Sequence, residues 1–257
     1  MRGEFRKVYK SSCISLCLMT RIAIVGDIEG HLNEMYVRLA DLGLDAIFQV
    51  GDLGYFPDGT KVDRATRRRG WAGQLPHYLS GEKQIPLLTY FIHGNHEDFD
   101  EIEKLVQDPN PVQNLHYLAS GNVHDVLGLR VGVIGGVYSS SRYHLPRNHR
   151  RLREGRRKNF SHEEVDALLA DQASIDMLLT HQGPDIPQLH NVIHSQNLCP
   201  VFADILRVKK PSWQFYGHHD VYDDSTFEKT RVVGLQTLKR YERETAGKKQ
   251  WFSIIDV

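Results

Sequence analysis

The chain is poor in cysteine, with three (Cys13, Cys17 and Cys199) among 257 residues. Thiols so few and so scattered build neither a disulfide framework nor a Cys-rich zinc site, and they point to a reducing, cytoplasmic setting. Long apolar runs are missing as well. None approaches the ~20 residues that cross a bilayer, so no membrane partner is expected. Net charge is absent: Lys+Arg and Asp+Glu both total 32. The whole-molecule field therefore selects no polyanion, and any such preference must come from local clusters. Internal repeats and Pro- or Ser-rich linkers are not found, which leaves no domain boundary to place. Residues 1–19 set basic side chains before a short apolar patch, without a small-x-small cleavage site. They are expected to be a disordered extension ahead of one domain over residues 20–257.

What is present is an ordinary globular composition, 40% apolar and 25% charged, with an unusual share of histidine, 14 residues. Apolar runs at Arg21–Val25, Ala46–Val50, Leu87–Ile92 and Met177–Thr180 read as strands buried on both faces. Between them, Leu32, Met35, Tyr36, Leu39 and Leu42 recur near a 3.6-residue period and predict a helix. Ser161 with Glu164 three residues later forms a capping box opening a second helix. This is the alternating rhythm of an α/β domain. The run from Val123 to Tyr138, with a turn at Leu127–Leu129, predicts a hairpin, and the runs 231–238 and 251–257 predict two more strands. The segment from Arg142 to Asn159 is polar, strongly basic and read as a loop.

The strand ends carry the chemistry. They read Gly26-Asp27, Gly51-Asp52, Gly-Asn-His-Glu at Gly94–Glu97, Thr180-His181, and Gly-His-His-Asp at Gly217–Asp220. In open α/β sheets the carboxyl ends of the strands converge on one rim, where ligands bind. Glycine beside each polar residue allows tight turns and close backbone approach. Asp, Asn and His together suit a divalent ion of mixed oxygen and nitrogen ligation. Each piece alone reads as a turn or a satisfied core histidine. Five in this order are hard to explain that way.

That order resembles the calcineurin-like metallophosphoesterases over nearly the whole chain from about Thr20. Within that superfamily, "HYLSGEKQIPLLTYFIHGNHE" and "LHYLASGNVHDVLGLRVGVIGGVYSSSRY" look like the catalytic domain of RNA lariat debranching enzymes, of which this chain would be a catalytic-domain-only relative. The resemblance implies an α/β (α+β) fold of four layers, a central β-sandwich flanked by helices, with two divalent metal ions at the strand ends. By that likeness Asp52 would bridge both ions. Asn95, His181 and His218 would complete one ion, and Asp27 would belong to the other. His96 would stand unliganded beside the phosphate, as general acid or charge stabiliser.

The superfamily usually has histidine at two positions where this chain has Glu29 and Asp220. Both would serve the ion held by Asp27, giving it a carboxylate shell. Carboxylates favour hard ions, so manganese is expected, with magnesium, iron(II) and zinc as alternatives. His31 and His219 are second choices as ligands. Glu97 and Asp98 read as orienting His96 or capping the next helix. The implied reaction is hydrolysis of a phosphate ester by a metal-bridging hydroxide. A phosphodiester of RNA or a nucleotide is the favoured substrate, ahead of a phosphomonoester. A non-catalytic scaffold on the same fold is the alternative from another class. Two basic stretches bear on this, Arg64–Gly70 and Arg147–Lys158. The second occupies the place of a substrate-contacting loop in the debranching family, so Arg147, Arg150 and Arg151 are candidate phosphate contacts, with Tyr143, Tyr138 and Tyr55 as candidate base-stacking groups. A solvated charged loop is the competing reading.

Overall fold

The first strand, β1 (Arg21–Val25), shows how the layers form, because its alternate side chains enter two different cores. Ile22 and Ile24 pack with Phe48, Val50, Ile92, Val131, Val133, Met177, Leu179 and Phe215 in a core between two sheets. Ala23 and Val25 face the other way, against Leu32, Met35, Tyr36 and Leu39 of a covering helix. Both faces are dry, which is why the strand reads as a continuous apolar run rather than an alternating one. The computed structural model describes residues 19–62, 64–152, 157–238 and 250–257. The expected N-terminal extension lies, apart from Met19, outside the described residues.

After β1 come α1 (Leu32–Leu39), β2 (Ala46–Gln49), α2 (Arg64–Arg69), α3 (Leu75–Leu79), β3 (Thr89–Phe91), α4 (Phe99–Leu105) and β4 (Leu115–Tyr117). The chain continues through β5 (Asn122–Val126), β6 (Leu129–Ile134), α5 (His162–Ala170), β7 (Met177–Thr180), α6 (Pro200–Lys209), β8 (Trp213–Tyr216), β9 (Asp223–Phe227), β10 (Thr230–Gly234) and β11 (Phe252–Asp256). One sheet has the order β11-β1-β2-β3-β4 and the other β5-β6-β7-β8-β10-β9. In the first, β1 to β4 are parallel and β11 closes the edge antiparallel to β1. In the second, β6, β7, β8 and β10 are parallel between antiparallel β5 and β9. Helices α1, α3 and α4 cover the first sheet, while α5 and α6 cover the second with Val165, Leu168, Phe202, Ile205 and Leu206. The expected four layers are therefore present.

The local expectations hold with trimmed boundaries. The first helix keeps α-geometry to Leu39 and tightens into a 3-10 turn over Ala40–Leu42 before Gly43 at φ 63°. The third strand is shorter than its apolar run. The hairpin turn has Leu127 and Gly128 at φ 53° and 81°, the sign that matches the twist of the flanking strands. Glu164 accepts the Ser161 N–H at 2.9 Å, as a capping box requires. Strand β9, with the sequence DDSTF, was not foreseen. It is a polar edge strand tied to β10 by an ion pair between Arg231 and Asp224 at 2.6 Å, and such charge discourages edge-to-edge association. Among the described residues, no helix is long and apolar enough to cross a membrane.

Candidate metal centre

Parallel strands β1, β2 and β3 of one sheet, and β7 and β8 of the other, end on the same rim, and the loops leaving them are tightly wound. Glu29, Asp52, His218 and Asp220 all adopt positive φ, between 48° and 65°. Half of the eight described non-glycine residues in that region are thus candidate site residues. Each costs on the order of 1–3 kcal/mol, and such strain persists where the surroundings over-determine the backbone. Two glycines make the convergence possible. A Cβ at Gly94 would collide with the Asp52 carboxylate, and one at Gly217 with that of Asp27.

At the centre, Asp27, Asp52 and His181, all buried, each present a ligand atom within 4.8 Å of the others. Oδ1 of Asp52 accepts the backbone N–H groups of Asn95 at 2.7 Å and His96 at 2.8 Å, which pins the Gly-Asn-His-Glu loop to the end of β2. Its other oxygen, Oδ2, is buried, accepts no hydrogen bond among the described residues, and lies 3.5 Å from His181 Nε2. His181 Nδ1 is 3.0 Å from the Val50 carbonyl, to which it donates, so Nε2 turns toward the carboxylates and Asn95 Oδ1, also 3.0 Å away. Asp27 Oδ1 accepts the His218 N–H at 3.0 Å, and the His218 ring lies 5.0 Å from that of His181.

The electrostatics follow. Burial opposes charge on Asp52, yet the His181 imidazole, with His96 and His218 behind it, holds that carboxyl well below the usual range. Burial likewise opposes protonation of His181, but Asp52 and Asp27 push its pKa up to about 9. Two buried carboxylates and an imidazole come within 4.8 Å of one another, and the Asn95 amide oxygen lies 3.0 Å from that imidazole. That donor set fits a divalent cation.

The family model described as calcineurin-like phosphoesterase matches residues 20–222. The chain belongs to the calcineurin-like phosphoesterases. These are metal-dependent hydrolases, and the buried Asp/His group is a metal site of the kind found in dimetal phosphoesterases. The phosphoesterase is similar to the lariat debranching enzyme of Schizosaccharomyces pombe, 27% identical over 64% of this chain and 37% of that one. The Homo sapiens lariat debranching enzyme is 33% identical over 64% and 32%, and the Mus musculus enzyme 23% identical over 92% and 46%. The chain thus spans less than half the length of these three relatives. In fold it is similar to a dimetal phosphatase from Danio rerio, with a TM-score of 0.51 at 13% identity, covering 85% of this chain and 87% of that one. A protein from Thermus thermophilus superposes with a TM-score of 0.56 at 14% identity, covering 86% and 90%.

Glu29 is buried on the loop after β1, its N–H bonded to the Asp52 carbonyl at 3.0 Å, while Asp220 is half-exposed with Oδ1 accepting the Thr237 N–H at 3.1 Å. Neither belongs to the close group of three. His31 Nε2 is 3.1 Å from the Gly70 carbonyl, and His219 Nε2 accepts the Gly183 N–H at 3.0 Å, so both second choices are engaged elsewhere. Burial, with His181 nearby, lowers the His219 pKa to about 4. Glu97 is fixed on the Tyr55 N–H, and Asp98 caps α4 through the Asp100 N–H at 3.2 Å. Burial pushes the Cys199 thiol up to about 12, which removes a thiolate nucleophile at that position.

A cleft of about 500 Å³ opens beside Asn95 and His96. Its basic residues are Lys61, Arg142 and Lys158, set against Glu97, Asp98 and Asp100. Arg147, Arg150 and Arg151 do not line it. Arg150 and Arg151 are exposed on a 3-10 turn, and Arg147 borders a small separate cavity with His93, Tyr117 and Arg157. Tyr143 packs among Tyr138, Phe160 and His162 at 5.4–6.3 Å, and Tyr55 stacks on Phe91 in the core at 5.6 Å. Reading the basic loop as a run of charge missed that the cleft receives its two ends. Arg142 is half-buried, its Nη1 donates to Asn159 Oδ1 at 2.7 Å, and it forms no carboxylate ion pair among the described residues.

Proposed function

We propose that the phosphoesterase hydrolyses a phosphodiester of a nucleic acid or nucleotide. The observation that carries this is the cleft itself: Asn95 and His96 share its walls with Arg142, Lys61 and Lys158. A guanidinium held by Asn159, with no carboxylate partner among the described residues, is a preformed fork for phosphate oxygens. The kinship to lariat debranching enzymes supports RNA as the substrate class.

Asp27, Asp52, Asn95, His181 and His218 would hold two divalent ions, with Glu29 and Asp220 on the side of Asp27. When bound, such a pair supplies Lewis acidity toward the phosphate ester and an activated water, and the carboxylate-rich half favours manganese or magnesium. The protein does the rest. Asp52 fixes the backbone of the His96 loop, which places the imidazole on the wall of the cleft. From there His96 delivers a proton to the leaving oxygen or a hydrogen bond to an equatorial one. Arg142 orients the substrate phosphate, and the exposed Arg150 and Arg151 extend the basic surface along a longer polyanion.

The test is turnover of a 2′,5′-branched RNA, a linear phosphodiester and a phosphomonoester by the purified chain, with manganese, magnesium or iron(II). Diester turnover that chelator abolishes is expected. Preference for the monoester would replace the reading with a phosphomonoesterase.

A further inference from the structure

The insertion between β2 and β3 is bound to all three of that sheet's metal-site loops. Ala72 N–H donates to the Glu29 carbonyl at 3.0 Å, and His31 Nε2 meets the Gly70 carbonyl at 3.1 Å. Trp71 Nε1 donates to the Gly54 carbonyl at 3.4 Å, and its ring packs closely over Gly30. On the third loop, Lys61 Nζ pairs with Asp98 Oδ2 at 3.3 Å. In the middle of this clamp stands α2, read from sequence only as a basic run. Its one fully buried polar side chain among those described is Thr66, whose Oγ1 lies 2.9 Å from His96 Nδ1.

We infer that Thr66 is a positioning residue for His96, holding the ring by Nδ1 so that Nε2 faces the cleft. The inference rests on the proposed role of His96 in phosphate-ester hydrolysis and adds a residue to it. The geometry of the ring carries the argument. His96 has its backbone fixed by Asp52 at 2.8 Å, but that bond leaves the side-chain torsions undetermined. The second anchor must therefore act on the ring. Nδ1 and Nε2 occupy opposite edges of an imidazole, so a partner on Nδ1 dictates where Nε2 points. A hydroxyl suits the task because it donates to or accepts from Nδ1, in either tautomer. Thr66 is itself held, since its carbonyl accepts the Trp71 N–H at 3.3 Å and Trp71 is locked onto the loops of Glu29 and Gly54. The clamp thereby ties the orientation of His96 to the loops bearing Glu29 and Asp52.

The experiment uses Thr66→Val, which keeps the shape and removes the hydroxyl, and Thr66→Ser, which keeps the hydroxyl. In metal-free protein, the His96 ring nitrogens are observed by 15N–1H correlation and assigned by their loss in His96→Gln. They should move in Thr66→Val and stay in Thr66→Ser; Thr66→Ala gives the same reading if the valine variant fails to fold. In manganese-loaded protein acting on bis(p-nitrophenyl) phosphate, Thr66→Val should lower kcat by about tenfold to a hundredfold, the scale of a misplaced catalytic group. KM and metal content should be unchanged, and Thr66→Ser should be close to wild type. Ring signals unmoved in Thr66→Val overturn the inference, as does a rise in KM with kcat intact. If wild-type protein turns over no phosphate ester, the proposed function falls, and the ring signals still decide whether Thr66 orients His96.

Discussion

Asp52 Oδ2 and His181 Nε2 face each other at 3.5 Å in a fully buried setting, so the carboxylate charge and the imidazole proton stabilise one another. With Asp52 and Asp27 raising the His181 pKa from 6.5 to about 9, the folded protein retains a proton there that the unfolded chain loses. A base shifted upward stabilises the fold fully below pH 6.5 and loses that contribution as pH rises through 9. Thermal melts in chelator should therefore show falling stability across that window. Saturating manganese should flatten the trend, and calorimetry near pH 7 in buffers of different ionisation enthalpy should show protons released on metal binding.

Removing the charge of Asp52 tests the centre directly. Asp52→Asn keeps an oxygen that can accept the Asn95 and His96 N–H groups, so the fold should survive. Diester turnover should fall by about 10²–10³-fold, the scale of losing one preorganised transition-state contact. Circular dichroism and metal analysis on the same sample separate loss of chemistry from loss of structure.

Glu29 and Asp220 should prove unequal. Glu29 is buried and conformationally strained beside Asp52, whereas Asp220 is half-exposed and one of its oxygens is occupied by Thr237. Glu29→Gln is expected to weaken metal affinity by roughly tenfold or more, the scale of disturbing a metal's immediate support. Asp220→Asn, which can keep the Thr237 bond, should cost less. Metal titrations at fixed pH compare the two.

Gly94→Ala places a methyl group against the Asp52 carboxylate. The expected outcome is a loss of about 1–3 kcal/mol in denaturant unfolding, as for an overpacked site. Metal binding should fail in the folded variant, because Asp52 must move away.

The arginines should separate by substrate length. Arg142→Ala should raise KM for a short phosphodiester by roughly tenfold, the scale of one hydrogen bond to a charged group. Replacing Arg150 and Arg151 with alanine should leave the short substrate unaffected and weaken binding to an RNA oligonucleotide, with a shallower salt dependence. Equal effects on both substrates would remove the case for an extended polyanion.

Much of this was legible in the chain itself. Runs such as Arg21–Val25 and Met177–Thr180 announce strands dry on both sides because a period-two alternation is missing, and the structure places both inside their sheets, off the edges. The polar residue after each run marks the rim, since parallel strands share a direction and their ends must meet. Strand β9 was not legible, because an acidic edge strand carries no apolar signal and forms by pairing with β10. Nor was the cleft. Arg142 and Arg151 look equivalent in a basic loop, and only the fold of that loop turns one toward His96 and the other to solvent.

The sequence by itself determined the alternation of strands and helices and the residue types at the strand ends, because apolar periodicity and glycine placement are local properties that no distant contact needs to supply. The four layers followed only from the family resemblance. Tertiary structure alone decided which of those residues touch. Asp27, Asp52 and His181 come from β-strand ends in two different sheets, and Thr66 reaches His96 across 30 positions of chain. Such contacts are set by how the sheets and the insertion pack in three dimensions, which no spacing along the chain encodes.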